Sequence, residues 1–177
     1  MRSELTGEVI DTGTVKTPAT ELGIPMEVTI RDAEPDDETG LRILRSQALK
    51  SRFQDDYDRK TVGELVAVVD ADLPSWIGGD RHLVLVAETE ITPVSYAVLD
   101  RAEGELRSIV TSPDYQREGF ASQVLTRIES AAREDDHDHL DAVVPEPSTS
   151  FFTASGFDRV AETEWYDIDA IRFRKSL

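Results

Sequence analysis

Gln116-Arg117-Glu118-Gly119-Phe120-Ala121 joins an apolar strand, Glu105 to Thr111, to a strongly amphipathic helix running to about Asp135. A strand, a short glycine turn and a helix N-terminus together form a cradle of backbone N–H donors for a phosphate or pyrophosphate. Glycine at 119 lets the backbone approach such an anion with no Cβ in the way, and Ala121 keeps the helix start close to the sheet. Arg117 is the one well-placed cation in the loop, available either to phosphate or to Glu118 or Asp114 as a surface pair. The segment points to a phosphate-bearing cofactor.

Upstream, His82 to Glu88, Val94 to Asp100 and Glu105 to Thr111 are apolar-rich and separated by short polar turns, the pattern of an antiparallel meander. Before them, Met26 to Arg31 alternates as a strand, and Pro35-Asp36-Asp37-Glu38 opens a helix carrying Leu41, Leu44 and Ala48 inward. Thr61-Val62-Gly63-Glu64 has capping-box spacing and predicts a second helix with Val62, Leu65, Val66 and Val69 on one face, ended by the Pro74 and Gly78-Gly79 region. Downstream, Ala121, Val124, Leu125, Ile128, Ala131 and Ala132 repeat at helical spacing, with Glu129 four residues before Arg133 on the outer face. Leu140 to Val144 reads as a buried strand, Ser148 to Ser155 as a helix stopped by Gly156, and Val160 to Tyr166 and Ala170 to Arg174 as two final strands. Residues 1–25, rich in Thr, Gly and Pro, form an extension that is either a short strand or hairpin at Glu8 to Asp11 and Thr14-Val15, or a flexible or partner-dependent arm.

The hexapeptide has the form Gln/Arg-x-x-Gly-x-Gly/Ala, and Phe151-Phe152-Thr153-Ala154-Ser155-Gly156-Phe157 follows at a fitting distance, similar to a Phe-Tyr-x-x-x-Gly-Phe ending. In both motifs and their order the chain resembles the GNAT superfamily of acyl-CoA-dependent N-acyltransferases, from about Met26 to the C-terminus. The resemblance implies an α/β (α+β) fold: a mixed, mostly antiparallel sheet of about six to seven strands with helices on both faces, formed by residues 26–177. It implies acetyl-CoA as acyl donor, its pyrophosphate held by the loop formed by Gln116, Arg117, Glu118, Gly119, Phe120, Ala121 and Ser122. Main-chain atoms of Ile109, Val110 and Thr111 would bind the pantetheine where their strand splays from the next, and Phe152 would lie against the cofactor. The acceptor implied is a primary amine of a small molecule, a peptide N-terminus or a lysine, attacked directly in a ternary complex.

Amine acylation needs a free lone pair, so a carboxylate that takes the ammonium proton is the expected general base. By the same resemblance Glu105, at the start of the strand before the loop, is the first candidate, against the simpler reading of an exposed glutamate following Gly104. Glu146 and Asp141 stand in reserve. The chain departs from the family pattern at Phe152, which replaces a tyrosine able to hydrogen-bond the leaving thiolate, at Pro145 in place of asparagine, and at Ser148 in place of alanine. Three readings follow: the thiolate leaves without a specific acid, Ser148, Ser150 or Tyr166 substitutes, or the domain binds acyl-CoA without turning it over. A metal site is not expected from His137 and His139 among aspartates at a helix end, which read as solvated.

The 177 residues, 39% hydrophobic, suffice for one core. Absence of cysteine excludes disulfides and thiolate chemistry. With no basic-apolar leader and no bilayer-length segment, the expectation is a cytoplasmic protein without a membrane partner. Acidic residues number 36 against 19 basic ones, with lysine only at Lys16, Lys50, Lys60 and Lys175, giving a net charge of −17. That balance repels nucleic acid and predicts a halophilic source, because at ~1 M salt a Debye length of ~3 Å removes most self-repulsion. A homodimer, with residues 1–25 pairing with a second copy, is an open alternative to the monomer.

Overall fold

The computed structural model describes residues 14–17, 26–90 and 92–177. One eight-stranded sheet runs β1-β2-β3-β4-β5-β6-β8-β7. Its strands are β1 Thr14–Thr17, β2 Met26–Asp32, β3 His82–Glu88, β4 Pro93–Asp100, β5 Glu105–Thr111, β6 His139–Pro145, β7 Asp158–Trp165 and β8 Ile168–Ser176. Every neighbouring pair is antiparallel except β5 and β6. The helices are α1 Glu38–Phe53, α2 Arg59–Asp70, α3 Leu73–Trp76, α4 Phe120–Glu134 and α5 Thr149–Ala154. Seven strands stand where the sequence pattern puts them. The eighth, β1, comes from the N-terminal extension and pairs with β2 from Thr14 opposite Thr29 to Thr17 opposite Met26. The strand read at Glu8 to Asp11 lies outside the described residues.

Alternation along β3 and β4 supplies two cores, one on each face. Leu85, Ala87, Ala97 and Leu99 pack with Phe120, Val124 and Ile128 of α4, whereas Val84, Val86, Tyr96 and Val98 pack with Leu41 and Leu44 of α1 and Leu73 and Trp76 of α3. The strand β6 alternates too: Leu140, Ala142 and Val144 are buried and the residues between them only half so, correcting the reading of a strand buried on both faces.

Four further local readings change. The helix α2 starts at Arg59, not after Thr61, because the Asp58 carboxylate accepts the Thr61 N–H at 2.7 Å and caps it three residues earlier. Pro74 opens the short α3, where the first turn needs no N–H from it, instead of ending α2. Glu129 does not pair with Arg133 on the outer face; it is buried and accepts from Lys175 Nζ at 2.6 Å. His137 is half-buried, its Nε2 2.7 Å from the Arg101 carbonyl oxygen, so it is not fully solvated. Among the described residues no helix is long and apolar enough to cross a membrane.

Candidate active site

Between the pairs Val98–Ser108 and Leu99–Leu106, β5 carries one extra residue, Arg107. A bulge bends its strand and sharpens the twist. The pairing of β5 with β6 stops at that point, after Glu105 with Asp141 and Leu106 with Ala142. Beyond it Ser108 to Thr111 of β5 and Val143 to Pro145 of β6 line a cleft of about 580 Å³. Separated strands leave main-chain donors and acceptors unpaired by a neighbour, a requirement for gripping an extended amide-bearing ligand.

The start of α4 opens onto the same cleft. Gly119 precedes it in the left-handed conformation, φ 85° and ψ 7°, and no side chain caps the helix. Phe120, 1% exposed, anchors the first turn in the core. The first amides of a helix have no partner within it, and here they meet the positive end of the helix dipole. Gln116, Arg117, Gly119, Phe120, Ala121 and Ser122 all line the cleft; Glu118 does not. A Cβ built on Gly119 would meet no atom within 4 Å, so the glycine answers first to its positive φ and not to crowding. Uncapped amides, a flanking guanidinium and two parted strands in one cleft fit a phosphorylated, pantetheine-like thioester.

Ile109, Val110 and Thr111 line the cleft as well. Ile109 packs on the α4 core and Val110 on the α1 core, so their side chains are structural and only the main chain is left for a ligand. Phe152 reaches the cleft but is 6% exposed and locked edge-on against Phe151 and Phe157. Among the hydroxyls weighed from the sequence, Ser148 and Ser150 line the cleft. Tyr166 instead donates to Asp72, and burial together with that carboxylate pushes its phenol up to about 12, leaving it a poor proton donor at neutral pH.

None of the carboxylates considered from the sequence lines the cleft. Glu105 lies against Arg107 at 3.3 Å, and Arg107 does line it. Asp141 is held by Arg174 at 2.7 and 2.9 Å, which keeps its carboxyl below the usual range, and Glu146 sits in a short turn after β6. The described lining contains no Asp or Glu, yet it contains four arginines, Arg45, Arg52, Arg107 and Arg117. Three of these were missed from the sequence. Arg45 sits four residues after Leu41 and three before Ala48, on the apolar stripe of α1, and that misplaced charge was the available signal.

A mixed sheet that parts beside an uncapped helix start offers main-chain donors to an extended, phosphate-bearing ligand. The comparisons agree. Residues 53–176 match the acetyltransferase (GNAT) domain family. Among solved structures, the GCN5-related N-acetyltransferase from Rhodopseudomonas palustris superposes with TM-score 0.76 at 19% identity, covering 91% of this chain and 96% of that one. PaiA N-acetyltransferase from Thermoplasma acidophilum, in complex with coenzyme A, gives 0.75 at 18%, covering 86% and 100%. The ribosomal-protein-S18-alanine N-acetyltransferase from Escherichia coli gives 0.61 at 18%, covering 84% and 93%. No curated protein matches the sequence significantly. The chain belongs to the GNAT family of acetyltransferases. It is therefore an acyltransferase, with acetyl-CoA as donor.

Proposed function

We propose that the protein transfers the acetyl group of acetyl-CoA to a primary amine by direct attack in a ternary complex, without a covalent acyl-enzyme. One observation carries the reading: the bulge at Arg107 parts β5 from β6 where the uncapped start of α4 opens onto the same cleft. The amides of Arg117 to Ser122 receive the pyrophosphate, and the main chain of Ile109, Val110 and Thr111 receives the pantetheine. The amine nitrogen forms the new N–C bond as the C–S bond breaks, and the thiolate, with a pKa of about 8.5, leaves without a strong acid. Ser148 and Ser150 are the hydroxyls placed to solvate it. Glu105 takes the ammonium proton through water, with Arg107 holding its carboxylate at the cleft edge. The acetyltransferase domain is residues 26–177, to which the extension adds an edge strand.

The absence of a carboxylate from the described lining and the aromatic ring of Phe152 favour one second reading, a module that binds acyl-CoA without turnover. Thiol release from acetyl-CoA across an amine panel in high salt separates the two. Turnover is expected, and Glu105→Gln lowers kcat/KM at neutral pH by about 10²-fold while flattening the limb of the pH profile where the amine loses its proton. Tight coenzyme A binding with no thiol release on any amine selects the binding module.

A further inference from the structure

We infer that the acceptor amine carries a carboxylate and that Arg45 receives it. The inference rests on the acetyltransferase reading and names its substrate class: a small amine with an acidic group, the simplest being an α-amino acid with an apolar side chain.

Arg45 lines the cleft from α1 and is only 3% exposed. Its Nη1 is buried and makes no hydrogen bond. A guanidinium stays charged in a protein, so burial cannot neutralise it. Among the described residues it rests on the face of Trp76, 5.2 Å from the guanidinium carbon, a partial compensation. A buried donor without an acceptor is costly, and a carboxylate offering two oxygens to a planar fork is the group that relieves it best. Arg52, seven residues on along the same helix face, and Arg107, across on β5, line the same cleft. Arg107 is already shared with Asp100 at 3.2 Å and Glu105 at 3.3 Å, so Arg45 is the primary anchor.

A chain of net charge −17 that gathers four arginines and no described carboxylate along one cleft is built to receive anions there. Anionic oxygens have two sources, the phosphates of the donor and the acceptor itself. Arg117 stands in the glycine loop with the donor amides, whereas Arg45 stacks on Trp76 and Arg107 pairs with Asp100 and Glu105 near the start of β5, at the other end of that strand from the loop. Beside Arg45, Leu49, Phe53 and Trp165 line the wall, and the rings of Phe53 and Trp165 stack at 6.3 Å, an apolar bed for the body of the same acceptor.

The test compares L-leucine with L-leucinamide as acceptors, and N-acetyl-L-leucine with its amide as ligands of the coenzyme A complex, in molar potassium chloride. Leucine is expected to exceed leucinamide in kcat/KM by about 30-fold, the worth of one charge-assisted bidentate contact. Arg45→Gln collapses that ratio toward unity, Arg45→Lys restores part of it, and coenzyme A affinity by calorimetry stays within about twofold of the parent. Equal or better use of leucinamide overturns the inference, and so does a loss of coenzyme A affinity in Arg45→Gln, which would assign the arginine to the donor. Should Arg45→Gln fail to fold, the wild-type ratio and the partial restoration by Arg45→Lys decide: a ratio well above unity that falls in Arg45→Lys upholds the inference, and a ratio that Arg45→Lys leaves unchanged overturns it. Should no amine be acetylated, the acetyltransferase reading falls. N-acetyl-L-leucine binding more tightly than its amide then upholds the carboxylate site, and equal binding overturns it.

Discussion

Gly119 holds φ at 85° with open space where a Cβ would stand, so an alanine there would be strained by its backbone alone. Gly119→Ala is expected to cost about 1 kcal/mol in urea unfolding and to weaken coenzyme A binding, while Gly119→Asn, tolerant of the left-handed region, recovers part of both. A cost equal for the two substitutions would show that a clash, not conformation, is at work. Asp100 presents the opposite case, a side chain with no solvent exposure. Burial raises its pKa, but hydrogen bonds from Arg81, the Glu103 amide and Arg107 outweigh that and bring it down to about 2. A carboxyl depressed in the fold stabilises fully above its unfolded value, about 3.9, and loses that contribution as pH falls toward 2. Asp100→Asn is therefore expected to cost about 3 kcal/mol at neutral pH, because two guanidinium groups lose their counter-charge, and to flatten the acid limb of stability between about pH 4 and pH 2. Acid unfolding followed by circular dichroism reads both. Gly119 was legible in the sequence as the glycine of a phosphate-binding turn, read there for close backbone approach, while the fold requires it first for its positive φ. Arg45 was not, because a buried guanidinium is distinguished by what surrounds it and only its place on an apolar stripe betrayed it.

Elements were legible where a single period ran uninterrupted. The three-strand meander and α4 follow from alternation and from the 3.6-residue repeat, and they stand close to where those patterns put them. Boundaries depended on competition between polar groups: Asp58 outcompetes Thr61 as the cap of α2 because a charged carboxylate is the stronger acceptor. The bulge at Arg107 was hidden, since an extra residue in one strand is defined by its neighbour's register and not by its own identity. The β7–β8 hairpin shows the same limit. Its two-residue loop, Tyr166-Asp167, has φ of 47° and 65°, a left-handed pair ordinarily given to Asn-Gly. The Tyr166 hydroxyl bonded to Asp72 ties this unfavourable turn to the segment before α3. Asp167→Gly is expected to stabilise the protein by about 0.5–1 kcal/mol through relief of that strain, and Tyr166→Phe to destabilise it by about 1 kcal/mol. Thermal melts of the two single variants check the signs. An Asp167→Gly variant no more stable than the parent would mean that the turn carries no strain.

For the molecule as a whole, the electrostatic field works against its own donor. The described ion pairs draw on much of the basic set: Arg31 faces Asp37 and Glu88, Arg81 and Arg107 share Asp100, Arg101 meets Asp135, and Arg174 meets Asp141. The excess acid remains, at −17. Two effects of salt follow with different reach. Repulsion among surface carboxylates, and between them and an approaching polyanion, acts over many ångströms and fades as the Debye length falls from ~10 Å at 0.1 M to ~3 Å at 1 M. The amides at the start of α4 and the guanidinium of Arg45 act at contact, where mobile ions screen little. We propose on this ground that the fold is adapted to concentrated salt. Raising potassium chloride from ~0.1 M to ~1 M is expected to raise the melting temperature by at least about 5 °C. It should also increase the association rate of coenzyme A, the reverse of the usual fall for oppositely charged partners, while the dissociation rate changes little. Stopped-flow binding across a salt series separates the two rates. If association slows as salt rises, the arginines of the cleft, and not the acidic surface around them, govern the approach of the donor.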